Sequence, residues 1–390
     1  MRRYRTKVLL AGLFLPFLAG CGRGGESGSA FPAFAVGEII AGGEGQGRLV
    51  FAHADVDGDG DEDLFLQRGD GAPLVLLNRN GRFVREAAWD LPTTGGLIHD
   101  ACFFDLNGDS LPELYLAREG ADALFKNEGT HYTDISREAG IDTRQRSYGV
   151  MAVQTVSLKR PDLLITGPDF NRLLRFDDRG VAAEMASQLG VAGKPVPSFA
   201  SLSADLDGDG LIDLFVANSR GPQSFFRNTG DQFREQMRGM SGSGGTTAIA
   251  AADVDGDGDV DLFSAGGSGG GDLFFNNGQG GFAPSGAMRQ IADSLAGLRI
   301  DSAHFFDPDG NGRPDLVVGG SFGIRFFLNA AKGTFLSNRD MVAEAGDPVS
   351  KLGSADLDGD GAPELLAACD GGLKIWRNRY KSLTKGRSAP

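Results

Sequence analysis

Residues 54–65 read ADVDGDGDEDLF and bring six acidic side chains into nine consecutive positions. Three of them, Asp55, Asp57 and Asp59, occupy alternate positions, and Asp63 stands at position 9 counted from Asp55. In an extended or curling loop, alternate side chains project to the same side, so these four carboxylates converge. Two uncompensated carboxylates ~4 Å apart near a protein surface repel by roughly 4 kcal/mol. The spacing therefore predicts a bound cation.

The chemistry of this loop suits Ca²⁺, which takes six to eight oxygen ligands at about 2.3–2.6 Å. Gly60 permits the sharp turn that would direct the carbonyl of position 7 inward. An EF-hand opens in the same way, but it requires Glu at position 12 and a helix on each side. Position 12 is Leu66, and both flanks have strand character, so the EF-hand interpretation fails. For one such loop alone, a solvated turn is the alternative.

Five further copies of the loop follow, and their number favours the cation site. Successive copies begin 50, 100, 48, 54 and 49 residues apart, and each has an acidic residue at position 9 followed by apolar residues. Side chains at positions 1, 3, 5 and 9 and the carbonyl at position 7 are the predicted ligands of about six structural Ca²⁺ ions. The predicted ligands are Asp55, Asp57, Asp59, Asp61 and Asp63; Asp105, Asn107, Asp109, Leu111 and Glu113; Asp205, Asp207, Asp209, Leu211 and Asp213; Asp253, Asp255, Asp257, Asp259 and Asp261; Asp307, Asp309, Asn311, Arg313 and Asp315; and Asp356, Asp358, Asp360, Ala362 and Glu364.

The doubled interval contains a degenerate copy of the repeat. In VMAVQTVSLKRPDLLITG, residues Gln154, Val156 and Leu158 stand where other copies have carboxylates, whereas Asp162 keeps position 9. The chain therefore contains seven units of about 50 residues, six of them able to hold a metal. The loops that begin at 105 and 307 have neutral residues among their ligands, so we expect them to bind more weakly.

Each unit reads as four short strands separated by turn-forming Gly, Asn and Asp. In the first unit the strands are RLVFAHAD, DLFLQ, PLVLLN and RFVREA. Repeats of this kind and period are typical of a β-propeller. We predict an all-β fold, a seven-bladed β-propeller of four-stranded antiparallel blades, over residues 32–380. The last unit lacks a fourth strand, so residues 33–40 are expected to complete that C-terminal blade and close the ring.

The D-x-D-x-D-G-x-x-D-L loops and L-F-x-N-x-G-x-F signatures resemble FG-GAP/VCBS repeats, the units of integrin-α-type seven-bladed propellers. The stretch LFKNEGTHYTDISREAGI, residues 124–141, is similar to the bacterial group associated with ASPIC/UnbV proteins, although we expect the C-terminal domain of that group to be absent. The resemblance spans roughly residues 32–380. It implies calcium loops that join the first two strands of each blade, and it is much less specific about activity.

The N-terminus has the pattern of an export signal, with basic residues before an apolar run from Val8 to Leu18 that is too short to span a membrane as a helix. Residues 18–21, LAGC, resemble a bacterial lipobox in which Cys21 is lipid-modified; a plain signal peptide with an incidental Cys is the alternative. We expect an exported lipoprotein of the cell envelope, attached by its lipid to the outer membrane or cell surface. The expected flanking segments are a signal peptide over 1–20, a flexible tether over 21–31 and a disordered tail over 381–390.

The topology of a four-stranded meander separates two faces of the propeller. The acidic loops share one face with the third hairpins, while the second hairpins and the variable connections between blades lie on the other. Because variable loops on a rigid scaffold commonly carry binding sites, we expect a non-catalytic binding, adhesion or assembly module for a protein or glycan partner. The candidate contact residues are Trp89, Tyr148, Phe170, Asn171 and Arg172.

The alternative function is a propeller enzyme of the polysaccharide lyase or hydrolase type, with its site in the central pocket on the face opposite the calcium loops. No combined nucleophile, base and orienting group is recognisable in the sequence, so we do not expect an enzyme. A net charge of −14 argues against a nucleic-acid partner, and we expect a monomer. The tripeptide Arg68-Gly69-Asp70 matches an adhesion motif, but in a chain rich in Gly and Asp it is more simply a turn.

Overall fold

The computed structural model describes a subset of the 390 residues. The predicted signal peptide, Cys21, the tether and the C-terminal tail lie outside the described residues. The described ranges are 35–41, 47–92, 96–141, 145–155, 160–236, 245–266, 270–285, 291, 294–338 and 346–378.

Twenty-eight strands form seven four-stranded antiparallel sheets, each with its strands in meander order. Blade 1 contains β2 (Leu49–Ala54), β3 (Asp63–Arg68), β4 (Leu74–Asn78) and β5 (Phe83–Val84); blade 2 contains β6 (Ile98–Phe104), β7 (Glu113–Arg118), β8 (Ala123–Asn127) and β9 (Tyr132–Asp134). Blade 3 contains β10 (Gly149–Val153), β11 (Asp162–Thr166), β12 (Arg172–Phe176) and β13 (Ala182–Glu184); blade 4 contains β14 (Ser198–Ala204), β15 (Asp213–Asn218), β16 (Ser224–Asn228) and β17 (Phe233–Gln236). Blade 5 contains β18 (Thr246–Ala252), β19 (Asp261–Gly266), β20 (Gly271–Asn276) and β21 (Phe282–Pro284); blade 6 contains β22 (Ile300–Phe306), β23 (Asp315–Gly320), β24 (Gly323–Ala331) and β25 (Thr334–Asn338). Blade 7 contains β26 (Val349–Ala355), β27 (Glu364–Cys369), β28 (Gly372–Arg377) and β1 (Ala35–Ile40).

The first strand of each blade faces the centre of the ring. Each of these strands packs against the first strand of the next blade, and β26 of blade 7 packs against β2 of blade 1. They are rich in small residues, as in β18, TTAIAAA, because closely packed strands around a central channel leave little room for large side chains. The predicted seven-bladed propeller is confirmed.

The hydrophobic core lies between the blades. Seven clusters of buried side chains each join two neighbouring sheets around the ring. Between blades 1 and 2, for example, Phe65 and Phe125 are fully buried together with Trp89. Because each blade offers one apolar face to each neighbour, no blade buries its core without the next.

The chain ends meet in blade 7, as the missing fourth strand predicts. Strand β1 pairs antiparallel with β28, with Val36 opposite Trp376 and Ile40 opposite Leu373. The outermost strand of this blade therefore comes from the opposite end of the chain from its other three strands, and the ring closes by hydrogen bonds between them.

Helical structure is short wherever the chain is described. It includes a 3-10 turn over Ala87–Trp89 and helix α1 over Ala186–Leu189. Within the described ranges, no helix has both the length and the apolar character needed to cross a membrane.

Candidate metal centres

All six acidic loops connect the first strand of a blade to its second strand, so they lie together on one face of the propeller. The loop of blade 1 runs from the end of β2 at Ala54 to the start of β3 at Asp63. Position 9 is thus the first residue of the second strand in every copy. We call this side of the molecule the loop face and the other side the opposite face.

A shared set of hydrogen bonds curls every acidic loop. In blade 1 the Asp55 carboxylate accepts from the main-chain N–H of Gly60 at 2.9 Å, and the Asp59 carboxylate accepts from the N–H of Asp61 at 3.0 Å. The corresponding bonds, from position 6 to position 1 and from position 7 to position 5, are present in all six loops. These bonds fold the main chain of each loop back toward the carboxylate of position 1 and fix the side chain of position 5 against the main chain of position 7.

Position 6 of each loop has a left-handed backbone. Gly60 has φ of 96°, and four other loops also have Gly at this position with φ between 78° and 96°. The exception is Ser110 in blade 2, which adopts φ of 71°. A side chain in this region is unfavourable, so the turn explains why Gly recurs there.

Four of the six loops hold three carboxylates with ligand atoms within 4.8 Å of one another. These groups are Asp55, Asp57 and Asp63; Asp205, Asp207 and Asp213; Asp253, Asp255 and Asp261; and Asp356, Asp358 and Asp360. The loops beginning at 105 and 307 are fully described and are not among these groups. The same two loops have neutral residues among their predicted ligands.

Three of these groups contain a buried carboxylate oxygen that makes no hydrogen bond: Asp57 Oδ1, Asp207 Oδ1 and Asp356 Oδ1. A buried acceptor without a partner costs about 1–3 kcal/mol, and more when it is charged. Such oxygens occur at position 3 or 1, where a cation would take its ligands. The donor set is made of hard oxygens alone, which fits a cation such as Ca²⁺ and suits softer metals poorly.

The loop beginning at 307 also has a buried carboxylate oxygen without a hydrogen bond, but the cause is different. In the other five loops the N–H of position 2 donates to the position 9 carboxylate, as Val56 does to Asp63 at 2.8 Å. Position 2 of this loop is Pro308, which has no N–H, and Asp315 Oδ2 is left unpaired. The partner that Asp315 Oδ2 lacks is therefore a main-chain N–H at position 2 and not a cation.

Position 9 is the most buried acidic position in each loop. Burial raises the pKa of these carboxyl groups to about 7, although main-chain N–H donors lower it in part. A nearby cation would reverse this shift, because it favours the charged form. The groups are Asp63, Glu113, Asp213, Asp261, Asp315 and Glu364.

Arginine side chains neutralise part of the charge in three of the loops; in the loop of blade 7, Arg377 lies 3.8 Å from Asp358. Arg79 Nη1 lies 2.5 Å from Asp57 and 2.8 Å from Asp59, and Arg227 pairs in the same manner with Asp207 and Asp209. Arg79 directly follows the third strand of its blade, and Arg227 is the next-to-last residue of the third strand of its own blade. Among the four clustered loops, only the loop beginning at 253 is reached by no ion pair of the described residues, so it has the least compensated charge of the four.

In blade 3, which lacks the acidic loop, the protein's own side chains compensate the carboxylate that remains at position 9. Asp162 keeps position 9 and is bound by the Arg175 guanidinium at 3.1 and 2.8 Å. The Thr155 hydroxyl donates to the same carboxylate and accepts from Arg175 at 3.1 Å. A side-chain cation and a hydroxyl therefore satisfy the one carboxylate that the degenerate copy retains.

An asparagine at or near the end of the third strand joins the acidic loops of neighbouring blades. In blade 1, the main-chain N–H of Asn78 donates to Asp63 at 2.7 Å, and its side-chain amide donates to the carbonyl of Leu357 in blade 7 at 2.8 Å. Four other interfaces have the same inter-blade bond, in each case to position 2 of the preceding loop. The donors there are Asn127, Asn276, Asn329 and Asn378. Sequence reasoning treated this asparagine as a turn signature and missed the bond, although its recurrence was a usable signal.

The five predicted partner contacts do not form one surface. Trp89 is only 3% exposed and packs edge-on against Tyr132, and Asn171 is 5% exposed. Burial removes both from the accessible surface, so the prediction is wrong for them. Arg172 is half-buried and pairs with Asp122 and Glu184, which ties blade 2 to blade 3.

The two remaining candidates are accessible. Phe170 is 54% exposed in the second hairpin of blade 3, and Tyr148 is half-buried directly before β10. Both lie on the opposite face, as the meander topology requires. In the tripeptide at 68–70, the Arg68 guanidinium donates to the carbonyls of Gly47 and Cys369, which supports the interpretation as a structural turn.

Segments 55–116, 205–264, 253–318 and 307–367 match the FG-GAP-like repeat, and together they cover more than half of the 390 residues. The chain belongs to the FG-GAP-like repeat family. All six acidic loops fall within the matched segments of these FG-GAP-like repeats, whereas blade 3 lies outside them. A comparison with curated proteins found no match.

Solved structures with the same fold have little sequence identity to this FG-GAP-like chain. An Agrocybe aegerita lectin, described as specifically recognising non-reducing terminal N-acetylglucosamine, is 15% identical with a TM-score of 0.54, over 86% of this chain and 87% of that chain. BBS1N, solved in complex with ARL6DN, is 13% identical with a TM-score of 0.57, over 92% and 98% of the two chains. The extracellular domain of the putative hybrid two-component system BT4673 from B. thetaiotaomicron is 11% identical with a TM-score of 0.54, over 89% and 40%. At this identity the likeness shows the fold alone.

Proposed function

We propose that the protein is an exported, lipid-anchored FG-GAP-like propeller that binds calcium and serves as a non-catalytic binding or assembly module for a protein or glycan partner. The calcium is structural and lies on the loop face. The partner binds the opposite face, where the variable connections and second hairpins meet. Among the similar structures, one is a lectin that recognises a glycan and another was solved in complex with a protein, which fits a propeller used for recognition.

The calcium assignment depends chiefly on the buried carboxylate oxygens that have no hydrogen bond in three of the loops. Positions 1, 3, 5 and 9 and the carbonyl of position 7 would hold the ion. The ion supplies positive charge that offsets the repulsion among the carboxylates and links the first two strands of a blade. Because extracellular modules bind Ca²⁺ at about 10⁻⁴–10⁻³ M, weak sites suit an exported protein.

Equilibrium dialysis against ⁴⁵Ca²⁺ with metal-depleted protein tests this assignment. We expect a tighter class of sites from the four clustered loops, with the loop beginning at 253 tightest, and a weaker class from the loops at 105 and 307. Each occupied site adds about 2.7 kcal/mol to the free energy of unfolding at a hundredfold excess over its Kd. Equal melting temperatures in EDTA and in excess calcium would contradict a structural role. Asp255→Asn, which changes one ligand, should remove one site from the tighter class.

The anchor has its own test. Mass spectrometry of the protein purified from membranes of a native host should show a diacylglyceryl group on Cys21, and Cys21→Ser should appear in the soluble fraction. A wild-type protein that carries no lipid would overturn the anchor and leave the calcium assignment intact.

Two experiments test the partner, each in calcium and in EDTA. In the first, immobilised wild-type protein is incubated with native envelope extracts; in the second, the wild-type protein is applied to a glycan array. We expect calcium-dependent retention of a protein or glycan that leaves chemically unchanged. Release of a cleaved polysaccharide would instead support the enzyme class.

A further inference from the structure

On the opposite face, the ring of Tyr148 in blade 3 contacts one aromatic ring from each neighbouring blade. The ring of Tyr148 in blade 3 stacks on that of Phe199 in blade 4, with centroids 5.1 Å apart and planes inclined by 20°. His99 in blade 2 meets Tyr148 edge-on at 5.4 Å. We call these three residues the aromatic platform. Phe199 is 46% exposed, so the fold itself leaves much of this apolar ring uncovered.

A repeated backbone irregularity presents two of the platform residues. The pairing of β14 with β15 skips Phe199, and the pairing of β6 with β7 skips His99. Such β-bulges re-aim a side chain and are over-represented next to binding sites. Three other blades have the same bulge, with Thr247, Asp301 and Ser350 at the equivalent position. Only blades 2 and 4 place a ring there, and blade 3 between them contributes Tyr148.

Charged groups of both signs surround the platform. Asp100, next to His99 in sequence, accepts from Lys351 at 2.7 Å, and Glu119 pairs with Arg146. Arg48, Arg146, Glu119 and Asp100 all act on the pKa of His99, which burial lowers. The rim therefore offers both donors and acceptors with nearly balanced charge, although the whole chain carries −14.

We propose that the aromatic platform binds a pyranose ring of a neutral carbohydrate. An exposed aromatic face packs well against the C–H face of a sugar ring, and the surrounding carboxylate and guanidinium groups hydrogen-bond hydroxyl groups. A balanced rim favours a neutral ligand over a charged one. This inference deepens the proposed function and depends on the opposite face being the binding face.

Phe199→Ala is the decisive variant, and Leu336→Ala is its control. Leu336 is a similarly exposed apolar residue, at 52%, and it lies on β25, the outermost strand of blade 6, away from the platform. Both changes remove an exposed apolar side chain, so neither should change the melting temperature by more than a few degrees.

The probe is an array of neutral oligosaccharides, with polygalacturonate as the acidic comparison, followed by calorimetry on any saccharide retained. We expect Phe199→Ala to weaken binding at least tenfold, while Leu336→Ala stays within threefold of the wild type. Equal binding by Phe199→Ala, or no neutral saccharide bound by the wild type, overturns the proposal. If the wild type retains only an envelope protein, the platform proposal fails and the proposed function stands. If it retains nothing, both fail.

Discussion

The side-chain amide of Asn78 donates to the main-chain carbonyl of Leu357, 279 residues further along the chain, at 2.8 Å. Asn78 also binds the position 9 carboxylate of its own blade through its main-chain N–H. One residue therefore connects the acidic loop of blade 1 to that of blade 7. Because the same bond recurs at four other interfaces, the six acidic loops form one connected series that runs through blades 4, 5, 6, 7, 1 and 2.

Asn78→Ala should lower the free energy of unfolding more than Asn228→Ala does. Asn228 ends the third strand of blade 4 and binds Ile212 of its own blade, but it has no partner in the described part of blade 3. The two variants thus differ by the inter-blade bond, which is worth about 1 kcal/mol. Urea denaturation measures the difference, and equal losses for the two variants would refute the inter-blade role.

Arg79→Gln should strengthen calcium binding at the first loop and lower the free energy of unfolding of the metal-free protein. The guanidinium competes with a cation for Asp57 and Asp59, and its removal also leaves these carboxylates uncompensated. We expect a roughly tenfold gain in affinity, or ~1.4 kcal/mol, by calorimetry at low ionic strength. Arg82→Gln, at an exposed position three residues on, is the control and should change neither quantity.

Ser110→Gly should stabilise the protein, because Ser110 occupies a left-handed backbone that five glycines adopt in the other loops. The expected gain is about 1 kcal/mol in the free energy of unfolding. The reciprocal change Gly60→Ser should cost a similar amount. A loss of stability in Ser110→Gly would mean that the serine side chain has a role that the turn geometry does not reveal.

The metal-free protein should lose stability as the pH rises from about 4.5 to 8. Burial raises the pKa of the position 9 carboxyls in the folded state to about 7, above the ordinary values of 3.8 for Asp and 4.5 for Glu. The folded state therefore binds more protons in this range, and the stability present below the unfolded pKa is lost as the pH passes the folded pKa. Excess calcium should reverse the slope, since it binds the deprotonated form. Thermal melts across this range in EDTA and in calcium provide the measurement.

Removal of residues 31–42 should abolish cooperative unfolding, because it takes away β1 and leaves the edge of β28 unpaired. A chain that begins at residue 31 is the control and should melt as the full-length protein does. Circular dichroism melts of the two truncations suffice. An unchanged melting curve for the shorter chain would show that the ring does not need its N-terminal strand.

Much of the fold was accessible from the sequence, because the acidic loops recur at a fixed period and each marks the start of a second strand. The same periodicity exposed the missing fourth strand of blade 7 and hence the pairing of β1 with β28. The acidic loops are recognised from a short local pattern, and the missing strand is recognised from the order of the repeats along the chain. The predicted ligand positions 1, 5 and 7 also follow from local geometry, since their hydrogen bonds span at most five residues.

The contacts that the sequence did not reveal depend on which residues meet across blades. Asn78 is visible as a repeated residue, but its partner Leu357 follows only from the closed ring. Trp89 looks like a surface aromatic in a variable connection, yet that connection folds back into the core between blades 1 and 2. Nothing in a single sequence marks Arg175 as the partner of Asp162, because their pairing becomes visible only in the folded blade.

Arg175 gives blade 3 a counter-charge that no chelator can remove. Under the proposed calcium assignment, the other six blades would depend on a solute whose concentration changes with the surroundings, whereas a guanidinium that belongs to the chain cannot dissociate from it. Blade 3 should keep its shape in ion-poor water, and it is the blade that carries Tyr148. The part of the ring best protected from calcium depletion is therefore the part that presents the proposed sugar site.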